Sequence, residues 1–389
     1  MRKVCVVTGT RADYGLLSGL MRELKNDSDF ELQVVASCMH LSSDFGYTYR
    51  EIEQDGFYID AKIDMLVSGD TPASVTKSIA FGVSKFTDAF SLLVPDLVVI
   101  LGDRFEALAA AQTAMMLSFP IAHIHGGEIT EGSVDESIRH AITKMSHLHF
   151  VSTSEFEKRV VQMGELPSRV FVSGALGIDN IKNMSPISRK ACEKLLNFSL
   201  SDKNFLVTYH PVTIPTAPDS GVDNLLLALE KYPEVNLIVT FPNADAGGRV
   251  IINKLKKFSD ANPERVLFVE SLGHKRYLKT LQHMDCVIGN SSSGLIEAPS
   301  FNIPIINIGD RQKGRTRALA VIDCDDSADS IVQAIETSLS EEFKSMVEKS
   351  INPYGQGNAA EIIIETLKKI DFDQLLRKPF LDVKYGVDI

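Results

Sequence analysis

The sequence predicts an α/β protein made of two doubly wound, parallel-sheet domains. Short apolar, β-branched runs recur along the 389 residues, and amphipathic segments at helical spacing separate them. No apolar run approaches the roughly 20 residues needed to cross a bilayer. A chain of this length exceeds one ordinary core and suits two.

In the first domain, 1–175, the strands read KVCVV (3–7), LQVVAS (32–37), LVVIL (97–101), IAHIH (121–125), LHFVS (148–152) and RVFVS (169–173). Between the first two, the segment from Arg11 to Lys25 sets Tyr14, Leu17, Leu20, Met21 and Leu24 on one helical face. Gly, Asn, Ser and Pro mark ALGIDNIKNMSPISR (175–189) as a linker. The second domain, 176–389, repeats the alternation with FLVTY (205–209), NLIVTF (236–241), RVLFVE (265–270), DCVIGN (285–290) and IPIINI (303–308), and its last helices are expected to pack back on the first domain. Two such domains facing each other across a cleft would bring the carboxyl ends of both sheets to one ligand.

The net charge of -11 disfavours a nucleic-acid partner, which usually calls for a basic footprint. MRKVCVVTGT opens on a basic pair, but its apolar run is too short for a signal peptide, and Arg11 and Asp13 follow at once. A cytoplasmic protein without a membrane partner is expected. Cys5, Cys38, Cys192, Cys286 and Cys324 are widely separated and form no CxxC pair, so reduced core thiols are expected rather than disulfides or a zinc finger.

Candidate site residues stand at strand ends. In VVTGTRADYG, Gly9 permits a close approach and Arg11 opens a helix from which it could fork onto phosphate. The pattern is not GxGxxG, so a dinucleotide cofactor is not expected. In VILGDRFEAL, Asp103 is either a general base at a buried strand end or the cap of the next helix. The stretch 121–150 is densest in polar groups. His123 and His125 would share a strand face, a Gly-Gly turn presents Glu128, Ser133 and Glu136 have capping-box spacing, and Asp135 falls in the first helical turn. Acids and imidazoles converging there suit proton transfer. His123, His125 and Glu128 lack HxxxH or HExxH spacing, so no metal is expected. His210, in TYHPVT, either touches a departing phosphate or is a solvated loop histidine. In IGNSSSGLIEAPS, Asn290, Ser291, Ser292, Ser293 and Gly294 lie between strand and helix, where free N–H groups and hydroxyls favour phosphate. Glu297, read into the first turn, would accept from a ribose diol. An ordinary serine cap explains one serine, not three.

At GTRADYG, LGDRFEAL, HIHGGE followed by DESIRHAITKMSHLHF, and GNSSSGLIEAPS followed by INIGDRQKGR, the sequence resembles the hydrolysing UDP-N-acetylglucosamine 2-epimerases of sialic-acid biosynthesis. The resemblance runs from the first strand to about residue 320. It implies the two-domain GT-B fold, a UDP-sugar substrate and UDP product, and a homodimer or homotetramer. It also implies release of N-acetylmannosamine by anti elimination of UDP to a glycal and hydration from the other face, with no nicotinamide and no obligatory metal. Residue by residue, Asp103 and Asp135 match acid/base positions, and His210 matches the histidine near the diphosphate. Arg11, Ser291, Ser292, Ser293 and Glu297 match UDP-binding positions, with Arg311 or Arg315 a further cation. Where some members read HIEGGE this chain reads HIHGGE, so either His125 or Glu128 takes a proposed glutamate's role. A 2,4-diacetamido-2,4,6-trideoxy sugar nucleotide is the alternative substrate. A GT-B glycosyltransferase, a non-hydrolysing epimerase and a UDP-sugar sensor are the competing functions.

Overall fold

The computed structural model describes residues 1–69, 71–130, 134–211, 220–242 and 248–383. They form two compact units. One holds Met1–Glu128, the described residues from Val134 to Lys182, and those from Tyr354 on; the other holds Ile129, Thr130 and the described residues from Asn183 to Pro353.

The first unit is built on seven strands: Arg2–Thr8 (β1), Phe30–Ser37 (β2), Ala61–Ile63 (β3), Leu97–Leu101 (β4), Ile121–Ile124 (β5), Leu148–Val151 (β6) and Val170–Val172 (β7). All pair in parallel, in the order β3-β2-β1-β4-β5-β6-β7. Both faces of this sheet are covered, which is why its strands read as continuous apolar runs. Along β1, Val4 and Val6 are buried with Leu17, Leu20 and Leu24, while Cys5 and Val7 are buried with Phe86 and Phe90. The helix Arg11–Asn26 buries Tyr14, Leu17, Leu20, Met21 and Leu24, the stripe its spacing predicts. Each such apolar side chain removed from water stabilises the fold by about 1.5–3 kcal/mol. Thr10 and Asp13 close the helix start in a capping box.

The second unit has six strands: Asn204–Thr208 (β8), Asn236–Thr240 (β9), Val266–Val269 (β10), Cys286–Gly289 (β11), Ile305–Ile308 (β12) and Val321–Cys324 (β13). They too are parallel, ordered β10-β9-β8-β11-β12-β13. Phe205, Val207, Leu237, Val239 and Ile288 lead its core. The sheet order reverses between β1 and β4 in one unit and between β8 and β11 in the other, the places where open α/β sheets receive ligands.

Three features depart from the sequence reading. Strands β3 and β13 are additional and short. Half of the stretch read as linker is the helix Leu176–Lys182, because Asp179 has a structural task there. Its carboxylate accepts from Ala359 N (2.9 Å) and Ala360 N (2.7 Å), capping the helix Ala359–Lys369. That late helix is also held by Arg2, whose Nη1 donates to the carbonyls of Leu367 (2.7 Å) and Ile370 (3.0 Å). All five cysteines are free thiols. Among the described residues no helix is long and apolar enough to cross a membrane, and no group of three or more His, Cys, Asp or Glu is placed to hold a metal.

Candidate active site

In the first unit the candidates gather at the ends of β4 and β5. Gly102, at φ +78, turns the chain out of β4. Its carbonyl accepts from His123 Nε2 at 2.7 Å, and His123 Nδ1 lies 3.1 Å from Thr143 Oγ1. Burial depresses the His123 pKa to about 3, so the ring is neutral. Asp103 does not cap the following helix: the cap position of Phe105–Met116 is Arg104, which makes no side-chain cap bond. The Asp103 carboxylate instead accepts from Arg139 Nη2. Arg139 is 2 % exposed, and its Nη1 donates to the Glu128 carbonyl at 2.9 Å. One buried guanidinium thus ties the end of β4 to the turn after β5.

The alternation expected to put His123 and His125 on one face stops at Ile124. His125 takes φ +66, and its Nδ1 lies 3.0 Å from Glu128 Oε1. Gly127, at φ +77, completes the turn, and Glu128 is buried. Asp135 is half-buried in the first turn of the helix Val134–Met145, four residues before Arg139. Ser133, read as that helix's cap, lies outside the described residues, and Glu136 sits 3.9 Å from Arg139 and 3.6 Å from His140. Arg11 opens its helix as expected, exposed, with Nε 3.1 Å from Glu51 Oε2. Gly9 has a steric reason: a Cβ there would overlap the Glu106 carboxylate, which Arg104 Nε holds at 2.7 Å.

In the second unit the serine-rich turn is anchored by Asn290. Its side-chain Oδ1 accepts from His210 N at 2.7 Å, its Nδ2 donates to His210 O at 2.9 Å, and its carbonyl accepts from Arg311 Nη1 (3.0 Å) and Gln312 Nε2 (2.9 Å). Gly289 makes this possible. At φ +141, a Cβ would land on the Thr208 carbonyl of the neighbouring strand. His210 is not a solvated loop histidine: it is 6 % exposed, and burial with the nearby Arg311 charge lowers its pKa to about 3. Ser291 occupies the cap position of Ser292–Ile296 without a side-chain cap bond. Glu297 is not in the first turn but at the C-cap, because the α-helix gives way to a 3-10 turn carrying Pro299. Glu297 Oε1 lies 2.9 Å from His274 Nε2, and its Oε2 accepts from Ser293 Oγ, itself 2.8 Å from the Tyr277 hydroxyl. Gly294 is buried in the same helix, and Arg315 follows the Asp310–Gln312 turn, half-buried. The arrangement offers N–H groups, hydroxyls and cations to an anion, and a fixed carboxylate to a diol.

Residues 22–368 match the family described as UDP-N-acetylglucosamine 2-epimerase. The chain belongs to that family. It is 42% identical over 384 residues to the GDP/UDP-N,N'-diacetylbacillosamine 2-epimerase (hydrolysing) of Campylobacter jejuni, covering 98% of this chain and 99% of that one. It is 38% identical to the polysialic acid biosynthesis protein P7 of Escherichia coli, covering 98% and 97%. Among solved structures, the UDP-GlcNAc 2-epimerase of Neisseria meningitidis bound to UDP-GlcNAc shares the fold, with a TM-score of 0.79 at 21% identity over 95% of this chain and 100% of that one. Two parallel α/β units of this kind are the GT-B fold.

For this family member, several supporting residues escape a reading of the sequence. Arg139 joins Asp103 to Glu128, Ser152 Oγ donates to Glu128 Oε1 at 3.2 Å, and His274 and Tyr277 hold Glu297 and Ser293. Arg139 had a signal, since DESIR puts a buried cation one turn after an acid. Tyr277 and His274 had only their three-residue helical spacing.

Proposed function

We propose that this family member is a hydrolysing 2-epimerase of UDP-2-acetamido sugars, releasing UDP and a free sugar inverted at C2. The observation that carries the reading is the tie between Asp103 and the His125–Glu128 pair through buried Arg139, at the ends of neighbouring strands. Epimerisation at C2 requires one group to take a proton and another to return it from the opposite face. Asp103, Asp135 and the His125–Glu128 pair supply the candidates. Ser291, Ser292, Ser293, Arg11, Arg311 and Arg315 are assigned to the diphosphate, Glu297 to the ribose, and His210 to the departing phosphate. The reaction is an elimination: the C2 proton goes to a base, its electron pair forms the C1=C2 bond, and the C1–O pair leaves with UDP. Water then adds at C1 as C2 is reprotonated. None of these steps draws on a nicotinamide or a metal.

UDP-N-acetylglucosamine is the substrate to which the motifs point, giving N-acetylmannosamine for sialic-acid-type sugars. The 42% identity to the Campylobacter jejuni enzyme favours a second substrate, UDP-N,N'-diacetylbacillosamine. The proposal includes action in the cytoplasm as a homodimer or homotetramer. Proton NMR in D2O with each sugar nucleotide tests it. Free UDP with a C2-deuterated, C2-inverted sugar is the expected result, and the faster nucleotide is the substrate. UDP retained on an epimerised sugar means a non-hydrolysing enzyme. Sugar transferred to an added acceptor without deuterium at C2 means a glycosyltransferase, and bound but unchanged nucleotide means a sensor.

A further inference from the structure

On the 2-epimerase reading above, we infer that His125 Nε2 is the atom that exchanges a proton with C2 of the sugar, and that Glu128 acts through His125 as a positioning residue. His125 stands just past β5 in the left-handed region, where non-glycine residues are uncommon, although histidine is among those enriched there. Its main-chain N–H is pinned to the Phe150 carbonyl at 2.9 Å, and its ring faces Glu128, with Nδ1 3.0 Å from Oε1.

Glu128 is held from both ends. Ser152 Oγ donates to the same Oε1 at 3.2 Å, and Arg139 Nη1 donates to the Glu128 carbonyl at 2.9 Å. An ionised carboxylate only accepts hydrogen bonds, so the proton of a neutral His125 sits on Nδ1, and Nε2 carries the lone pair. Nε2 is buried and has no hydrogen-bond partner among the described residues. Native proteins leave few buried polar atoms in that state. A base oriented by a carboxylate on one nitrogen and open on the other is built to meet a reacting atom. Glu128 Oε1, by contrast, already takes two donors.

The charged and titratable groups packed around the pair come from several elements. His123 and His149 stand on β5 and β6, Asp103 follows β4, Arg139 and Glu136 lie on the helix Val134–Met145, and Arg159 reaches the Gly127 carbonyl from the helix Ser154–Gln162. His123 is held neutral by burial, and the Arg139 charge is met by Asp103. When Nε2 accepts the C2 proton, the C–H pair becomes the C1=C2 bond and the C1–O pair departs on UDP. The imidazolium keeps Nδ1–H on Glu128, whose charge stabilises it. A second group then returns a proton to C2 from the opposite face, so the configuration inverts.

The test compares His125→Asn, Glu128→Gln and the double variant. Asparagine also tolerates positive φ but carries no transferable proton. Each single change is expected to lower kcat about 10²–10⁴-fold while KM moves less than about threefold, and the double variant to be no slower than the worse single. Losses that multiply in the double variant would overturn the inference. So would a His125→Asn enzyme near wild-type turnover beside an inactive Glu128→Gln enzyme. Circular dichroism shows that each variant is folded, and 15N-histidine NMR reads the His125 tautomer independently of turnover. Nδ1 protonation in the wild type, redistributed in Glu128→Gln, upholds the pair, whereas Nε2 protonation refutes it. If the wild type releases UDP from neither sugar nucleotide, the epimerase reading fails, and the tautomer still decides the pairing.

Discussion

Replacing His123 by asparagine should flatten the acid sensitivity of the first unit. His123 is fully buried, and burial lowers its pKa from 6.5 to about 3. Between those values the unfolded chain binds a proton that the folded chain does not. Stability is therefore fully present above pH 6.5 and declines as the pH falls toward 3, by up to about 1.4 kcal/mol per unit. At pH 5 the loss from this ring reaches about 2 kcal/mol, a sizeable share of the 5–15 kcal/mol typical of a domain. His40, fully buried and lowered to about 4, acts in the same direction, so the wild-type slope exceeds one ring's worth. The His123→Asn amide cannot titrate, and it reaches only as far as Nδ1 did, so the Gly102 carbonyl loses the donor that Nε2 supplies. Its absolute stability should drop, while its slope between pH 6.5 and 5 becomes shallower by about 1 kcal/mol per unit. The chain has no tryptophan, so urea midpoints are followed by far-UV circular dichroism at half-unit pH steps. Parallel wild-type and variant slopes would refute the reasoning.

Arg139→Met leaves the Asp103 carboxylate without its cation and the Glu128 carbonyl without its donor. It should destabilise by about 3–5 kcal/mol, read as a lowered urea midpoint, and lower kcat by at least about 10²-fold. Asp103→Asn and Asp135→Asn should each lose far more kcat than UDP affinity, measured by turnover and calorimetry; near-normal turnover in either removes that residue from the acid/base set. Gly289→Ala forces a Cβ onto the Thr208 carbonyl, and should cost more than about 2 kcal/mol and weaken UDP binding together. Ser292→Ala should weaken UDP binding about tenfold with little effect on stability, and unchanged calorimetric affinity would remove that hydroxyl from the diphosphate site.

The parts of the fold legible in the sequence are those decided by burial alone. Strands sandwiched between helix layers must be apolar on both faces, so LVVIL and NLIVTF announce themselves, and the helix Arg11–Asn26 shows its stripe because one face meets the sheet. The edge strands β3 (AKI) and β13 (VIDC) each carry an exposed charged residue, Lys62 and Asp323, so no continuous apolar run marks them, and they form because β2 and β12 offer open edges. The helix Leu176–Lys182 stayed hidden for another reason. Its polar Asp179 is there to cap a helix 180 residues later, and composition records polarity but not its partner.

The same limit governs the site. Strand-end loops drew attention to Asp103, Glu128 and the Asn290–Gly294 turn because glycines and acids there have no packing purpose that a sequence can display. What the sequence does not display is which of those groups is already engaged. Arg139 occupies Asp103, Ser293 is bound to Glu297, and His123 serves the Gly102 carbonyl, so each is fixed before any ligand arrives. The His125 backbone conformation is the decisive case. From HIHGGE alone, period-two alternation pairs His125 with His123, yet one residue at φ +66 breaks the alternation and pairs it with Glu128 instead. A positive φ outside glycine is a tertiary outcome, sustained by the Phe150 and Arg139 hydrogen bonds that hold both ends of the turn. The choice between histidine and glutamate as the proton carrier was therefore open in the sequence, and becomes a question of which nitrogen is left without a hydrogen-bond partner.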